Sequence, residues 1–173
     1  MRIYLIGYMG SGKTTVGKQL AKKLQMKFED LDQMIEACAH YSVSDIFQKF
    51  DETAFRQLEK KVLHQTQTLS QTIISTGGGT PCYSDNMKFI HENGISIYLK
   101  LSPVSLAHRL SHSKKKRPLI HEKSAGELLD FVQTHLSIRE KFYCQADIIV
   151  KGENLDINHL SNMINQKIKN KNL

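Results

Sequence analysis

Short apolar runs that stop at glycine or aspartate alternate along the chain with longer stretches in which apolar residues return every three or four positions. Ile3-Tyr4-Leu5-Ile6 is the first run and ends at Gly7, the mark of a buried strand. From Lys13 the positions Val16, Leu20, Ala21 and Leu24 fall at helical spacing. Met26 to Glu29 reads as a second strand before Asp30-Leu31-Asp32, and Met34 to Ala39 and Val43 to Phe50 read as short helices. A longer helix starts near Asp51, with Phe55, Leu58, Val62 and Leu69 on its apolar face. Thr72 to Ser75 is the third strand, ending in Gly77-Gly78-Gly79. Ser84 to Asn93 follows as a helix, with Gly94 as its left-handed stop.

Ile95 to Leu99 is the fourth strand, and Ser102-Pro103 opens a helix with Ser as N-cap and Pro at the first helical position. Ser111 to Lys123 is polar, basic and without period, hence a loop. Ser124-Ala125-Gly126-Glu127 has capping-box spacing and opens a long helix towards Tyr143. Ile148 to Val150 is the fifth strand, and a last helix runs from about Asp156 to Lys169. Strands alternate with helices throughout, without repeats or linkers, which predicts one α/β domain with a mainly parallel sheet.

Composition narrows the class. The length, 173 residues, suits one domain, and 40% hydrophobic residues can fill a core that, without Trp, must be largely aliphatic. A net charge of +7 suits nucleic acid, an acidic membrane surface or a small anionic substrate. Cys38, Cys82 and Cys144 are odd in number and widely spaced, so they are expected to be reduced and metal-free. The first apolar run is too short for a signal peptide or a membrane span, and a soluble cytoplasmic protein is expected.

The stretch GYMGSGKT, Gly7 to Thr14, has the GxxxxGK[ST] pattern of a phosphate-binding loop. Glycines let successive N–H groups turn inward on phosphate oxygens, Lys13 brings a charge to the β/γ-phosphates, and the Thr14 hydroxyl can ligate Mg²⁺. The helix that follows offers its N-terminal dipole. No DxxG, no Asn-Lys-x-Asp and no regular Walker B strand follows, which excludes GTPase switches, and the length excludes large motor ATPases. Small-molecule kinases remain.

Five further features bear on the acceptor. Asp30 and Asp32 stand where the second strand ends, and alternate strand residues face one side. Their carboxylates suit proton acceptance and a Mg²⁺ water shell, and serve equally well as an N-cap for the next helix. Arg56 and Glu59 are three apart, hence helix-surface neighbours: either a solvated ion pair or an arginine held for a substrate carboxylate. Arg139, one turn before Tyr143, invites the same two readings. Three glycines before Thr80-Pro81 suit the close approach of a hydroxylated substrate, or a flexible turn. The run Lys114-Lys115-Lys116-Arg117 is either a solvated charge cluster, a nucleic-acid patch or a mobile loop that closes over ATP.

In order along the chain, GYMGSGKT, DLD, DIF…FRQLE, GGGTP, RPLI and REKFY resemble shikimate kinase, a nucleoside-monophosphate-kinase-like P-loop family. The resemblance implies a three-layer fold with a five-stranded parallel sheet in order 2-3-1-4-5, helices on both faces, and a single domain over 1–173. It also implies a substrate-binding region at about 31–62 and a lid at about 110–124. The implied reaction is phosphoryl transfer from ATP to the 3-hydroxyl of shikimate, with Mg²⁺ as cofactor.

Carried over by residue, the resemblance makes Asp32 the base or orienter, with Lys13 and Arg117 as further catalytic groups. Gly10, Ser11, Gly12, Lys13, Thr14 and Thr15, with Arg117 from the lid and Arg109 stacked on adenine, would bind ATP. Thr14 would hold Mg²⁺ directly and Asp30 through water. Arg56 and Arg139 would bind the shikimate carboxylate, with Glu59 fixing Arg56. Gly77, Gly78 and Gly79 would approach the substrate, and Phe47 and Phe55 would line its apolar side.

Two departures from the family pattern stand out. Asp51-Glu52 replaces a frequent Gly-Glu, and Lys151-Gly152-Glu153-Asn154-Leu155 replaces a frequent Arg-x-Asn-Pro in the adenine loop. The expected partners are small molecules, shikimate and ATP, with no nucleic acid and no membrane, and the expected state is a monomer. The competing readings are a gluconate or nucleoside-monophosphate kinase, a nucleic-acid-binding P-loop protein, and an inactive homologue.

Overall fold

The structure is a computed structural model that describes residues 1–113 and 123–171. Its centre is a five-stranded sheet built from β1 (Arg2–Ile6), β2 (Lys27–Asp30), β3 (Thr72–Ser75), β4 (Ile95–Lys100) and β5 (Ile148–Lys151). All pairings are parallel, in the order β2-β3-β1-β4-β5. The continuous apolar runs have their reason here, because the inner strands are covered on both faces. On β1, Ile3 and Leu5 face one core, while Tyr4 and Ile6 face the other.

The first core is closed by α1 (Lys13–Leu24) through Leu20 and Ala21, and by α8 (Ile157–Lys171) through Leu160 and Ile164. The second is larger. It takes Ile35 of α2 (Leu31–Ala39), Ile46 of α3 (Val43–Lys49) and Phe55, Val62 and Leu63 of α4 (Glu52–Gln65). The same core receives Ile90 of α5 (Asn86–Asn93), Leu106 and Leu110 of α6 (Pro103–Ser111), and Val132 and Tyr143 of α7 (Ala125–Tyr143). Helix, sheet and helix thus make three layers, with the strand order expected. No helix among the described residues is long and apolar enough to cross a membrane.

Local signals hold where a cap chemistry was readable. Ser102 accepts a hydrogen bond from the Ser105 N–H, with Pro103 at the first helical position. Ser124 and Glu127 make the reciprocal capping box. Three expectations fail. Helix α4 stops at Gln65 and tightens into a 3-10 turn over Thr66–Thr68, so Leu69 packs on the core from beyond the helix. Helix α5 starts at Asn86, because Ser84 sits at φ 52 and cannot be helical.

Gly94 is the third. At φ −176 it is extended and forms no left-handed cap. It is needed for proximity, since a Cβ there would lie 2.6 Å from the Arg2 carbonyl oxygen and 2.8 Å from the Tyr4 ring. The basic run Lys114 to Arg117 and most of the expected lid lie outside the described residues.

Because every strand is parallel, all carboxyl ends open on one side of the sheet, the usual place for a ligand in such folds. The phosphate-loop motif leaves β1 there, Asp30 ends β2, and the triple glycine follows β3.

Candidate active site

A cleft of about 620 Å³ opens at these strand ends, lined by the phosphate loop and by Asp30, Asp32, Glu36, Gly77, Gly78 and Arg109, among others. Gly10 and Gly12 hold φ of 80° and 92°, which a residue with a Cβ resists. Gly12 is the N-cap of α1 and offers no side chain to its N–H groups, so that helix end is left to an outside acceptor. Lys13 is 8% exposed, and its Nζ donates to the carbonyls of Gly7 and Tyr8 at 2.8 and 2.9 Å. The loop thereby fixes its own lysine beneath the phosphate position. Arg109 Nη1 lies 3.4 Å from the Ser11 carbonyl and beside Gly12, at the mouth of the loop.

Asp30 makes the N-cap contact that its spacing allowed and a second contact at Thr14. One carboxylate oxygen caps α2 by accepting from the Asp32 N–H at 3.1 Å, and the other accepts from the Thr14 hydroxyl at 2.8 Å. A hydroxyl and a carboxylate side by side form a hard-oxygen donor pair of the kind Mg²⁺ takes. The strand-alternation argument does not hold: Asp30 closes β2, whereas Asp32 already lies in the first turn of α2. The chain turns between them, and that turn brings both into the cleft.

Arg56 is held on three sides. Nη1 donates to Glu59 Oε2 at 2.7 Å, Nε and Nη2 donate to Glu52 Oε1 at 3.2 and 3.1 Å, and the Tyr83 ring lies 3.8 Å beneath the guanidinium carbon. Glu59 is only 1% exposed, and its second oxygen accepts from Thr80 Oγ1 at 2.6 Å. The solvated ion pair is thereby excluded. Phe55 is buried, and Phe47, 42% exposed, packs on it with ring centroids 4.3 Å apart. Arg139 stands over the Tyr8 ring at 5.7 Å. Tyr143, below it on α7, donates to the Gly78 carbonyl at 2.5 Å.

The three glycines join these parts. A Cβ on Gly77 would lie 3.1 Å from Glu59 Oε1 and 3.2 Å from Asp32 Oδ1. On Gly78 it would meet the Met9 backbone N at 3.1 Å, and on Gly79 the Arg56 terminal nitrogens at 2.8 and 2.9 Å. Phosphate loop, acidic residue and guanidinium therefore converge on one stretch of side-chain-free backbone.

Burial and charge tune the neighbours. Burial, only partly offset by Arg139, pushes the Cys82 thiol up to about 11, so it stays protonated and inert. Burial first, then Arg139, holds His135 below the ordinary histidine value. The Tyr83 hydroxyl, and with it Arg56, keeps the Glu52 carboxyl below its ordinary range.

Comparison with known proteins identifies the family. The family description "Shikimate kinase" matches residues 9–169. A shikimate kinase of Parabacteroides distasonis is 43% identical over 167 residues, covering 94% of this chain and 96% of that protein. The crystal structure of shikimate kinase from Bacteroides thetaiotaomicron superposes with a TM-score of 0.90 at 39% identity, covering 98% of each chain. That of Acinetobacter baumannii shikimate kinase in complex with shikimate gives a TM-score of 0.83 at 32% identity, covering 99% of this chain and 94% of that one.

The chain belongs to the shikimate kinase family. Of the residues expected to act in a shikimate kinase, Gly10, Gly12, Lys13, Thr14, Thr15, Asp30, Asp32, Gly77, Gly78 and Arg109 line the cleft. Arg56, Glu59 and Gly79 adjoin it through the contacts above. Arg117 lies outside the described residues. The atypical adenine loop does not line the cleft. Its Glu153 instead accepts from the Ser102 N–H at 2.9 Å, at the start of the helix that carries Arg109.

Asp51, the departure from the family's glycine, caps α4 by accepting from the Ala54 N–H. Sequence reading missed Glu52, Tyr83 and Thr80. The Glu52–Arg56 spacing of four was a usable signal; Tyr83 and Thr80 reach the site by long-range contact and carried none.

Proposed function

We propose that this chain transfers the γ-phosphoryl group of ATP to the 3-hydroxyl of shikimate, giving 3-phosphoshikimate and ADP. The observation that carries the reading is the triple glycine, which borders the phosphate loop, Asp32 and Arg56 within three consecutive residues. A small acid held by its carboxylate at Arg56 and Arg139 spans to Asp32, and its hydroxyl then faces the phosphate loop. Two arginines from separate helices fix orientation as well as charge, which suits a reaction in which positioning supplies much of the rate.

Phosphoryl transfer asks little covalent chemistry of the protein. Lys13 and the N–H groups at the start of α1 neutralise the phosphate oxygens, and Ser11, Thr15 and Arg109 complete the ATP side. Asp32 accepts or orients the proton of the attacking hydroxyl. Thr14 and Asp30 would hold Mg²⁺, the hydroxyl directly and the carboxylate through water, and the ion would supply charge neutralisation to the phosphate oxygens. Phe47 and Phe55 bound the apolar side of the acid. Residues 31–62 as substrate region, residues 110–124 as lid, and Arg117 as the lid's phosphate contact belong to this reading. So do a single domain, a cytoplasmic location and a monomeric state; light scattering tests the last.

ADP release from Mg·ATP, measured alone and with shikimate, gluconate or AMP, tests the reading. Strong stimulation by shikimate alone is the expected result. Equal stimulation by gluconate or AMP, or hydrolysis that no acceptor changes, overturns it.

A further inference from the structure

We propose that Glu52 is a displaceable stand-in for the substrate carboxylate, occupying the fork of Arg56 until the acid arrives. The inference rests on the reading of Arg56 as a carboxylate binder. A guanidinium offers five N–H donors in a fixed plane, and its side fork of Nε and Nη2 matches the two oxygens of a carboxylate. Here that fork is filled by one oxygen. Glu52 Oε1 accepts from Nε at 3.2 Å, from Nη2 at 3.1 Å and from the Tyr83 hydroxyl at 2.9 Å, so three donors share a single atom. Such a shared contact is longer and weaker than a two-oxygen fork, in which each N–H has its own partner.

The two acids on Arg56 are built differently. Glu59 is buried at 1% exposure, sits 2.7 Å from Nη1 and is tied behind to Thr80. Glu52 is 58% exposed, stands in the first turn of α4, bonds to Arg56 and Tyr83, and also feels the Arg139 charge. Glu59 is the anchor. Glu52, already more than half exposed, can swing fully into water, where solvation takes the place of its contacts to Arg56 and Tyr83. The Tyr83 ring beneath the guanidinium and the Glu59 bond keep its plane fixed while Glu52 leaves.

Charge balance also favours exchange over addition. Glu52 and Glu59 already match the two guanidiniums of Arg56 and Arg139 in number, and a third carboxylate beside them would leave one negative charge unbalanced. Replacing Glu52 by the substrate carboxylate leaves the local charge unchanged, and two oxygens replace one. The fork is thus preset in the free protein and closed to anions that cannot offer a bidentate grip.

Calorimetric titration of shikimate and of its neutral methyl ester into wild type, Glu52→Gln, Glu52→Ala and Arg56→Ala tests this. With Glu52 neutral or absent, shikimate is expected to bind about 2- to 5-fold tighter, the size of a partly exposed ionic contact. Ester affinity should stay within about twofold of wild type, because the ester has no anionic fork to fill. Weaker or unchanged shikimate binding in both Glu52 variants overturns the proposal. If Arg56→Ala still loses shikimate binding in that case, only the stand-in role falls. Arg56→Ala with wild-type affinity for shikimate removes the carboxylate assignment itself, and this inference with it.

Discussion

Replacing Gly79 by Ala isolates the grip on Arg56 from every other part of the site. The backbone at Gly79 has φ −88° and ψ −22°, which any residue adopts, so no strain accompanies the change. What the new methyl meets is Arg56: it would lie 2.8 and 2.9 Å from the two terminal nitrogens and 3.1 Å from the carbon between them. Ordinary contact requires the guanidinium to retreat by about half an ångström. A free arginine would do so readily, but this one is pinned by Glu59, Glu52 and Tyr83, so the retreat stretches the 2.7 Å bond to Glu59.

A hydrogen bond between charged groups contributes about 1.5–3 kcal/mol, and losing that much of the preset geometry raises KM for shikimate about 10- to 100-fold. Stability should fall by roughly 0.5–2.6 kcal/mol, because the about 1.5–3 kcal/mol lost with the Glu59 bond exceeds the about 0.4–1 kcal/mol that Gly→Ala at a permitted φ returns by stiffening the unfolded chain. The assay is coupled ADP release, titrating shikimate at saturating ATP and then the reverse, beside a thermal melt. A KM for shikimate within twofold of wild type would refute the reasoning, as would an equal rise in KM for ATP.

Two further variants test other links. Glu59→Ala removes bonds from Arg56 and from the buried Thr80 hydroxyl, so a loss of about 3–5 kcal/mol is expected, seen as a Tm lower by on the order of 10 °C. A Tm within a few degrees of wild type would mean that the pair is solvated after all. His135, hydrogen-bonded to Tyr8 at 3.2 Å, is held below its ordinary value of 6.5 by burial and by Arg139. The unfolded chain therefore binds the proton first, and stability present above pH 6.5 is lost as pH falls through the lower folded value. His135→Asn should flatten the fall of Tm with acidification, and an unchanged slope between the two proteins would remove that role.

The parts of this protein that were legible in its sequence are those whose physics is local. Buried parallel strands announce themselves as unbroken apolar runs because both faces are covered, and Ser102-Pro103 and Ser124 to Glu127 carry their cap chemistry within four residues. The phosphate loop is local as well, since Gly12 and Lys13 act through backbone they themselves shape. Gly94 shows the limit. Its sequence context is that of a helix stop, yet the constraint on it comes from the Arg2 carbonyl and the Tyr4 ring, some ninety positions away.

The acid grip divides along the same line. Arg56, Glu59 and Glu52 share one helix face and could be paired by spacing alone, but spacing cannot say which of the two acids is buried. That difference comes from Thr80, which reaches Glu59 from the far side of β3, and from Tyr83, which slides under the guanidinium. Both arrive on the segment that follows the triple glycine. Lacking side chains, the glycines let one stretch of chain border the phosphate loop, Asp32 and Arg56, and the residues after them bury and fix the Arg56–Glu59 pair. On the function proposed above, Arg56 would hold the substrate at a defined distance from Asp32 because Glu59 fixes it, and Glu59 is fixed in turn by Thr80 of this segment.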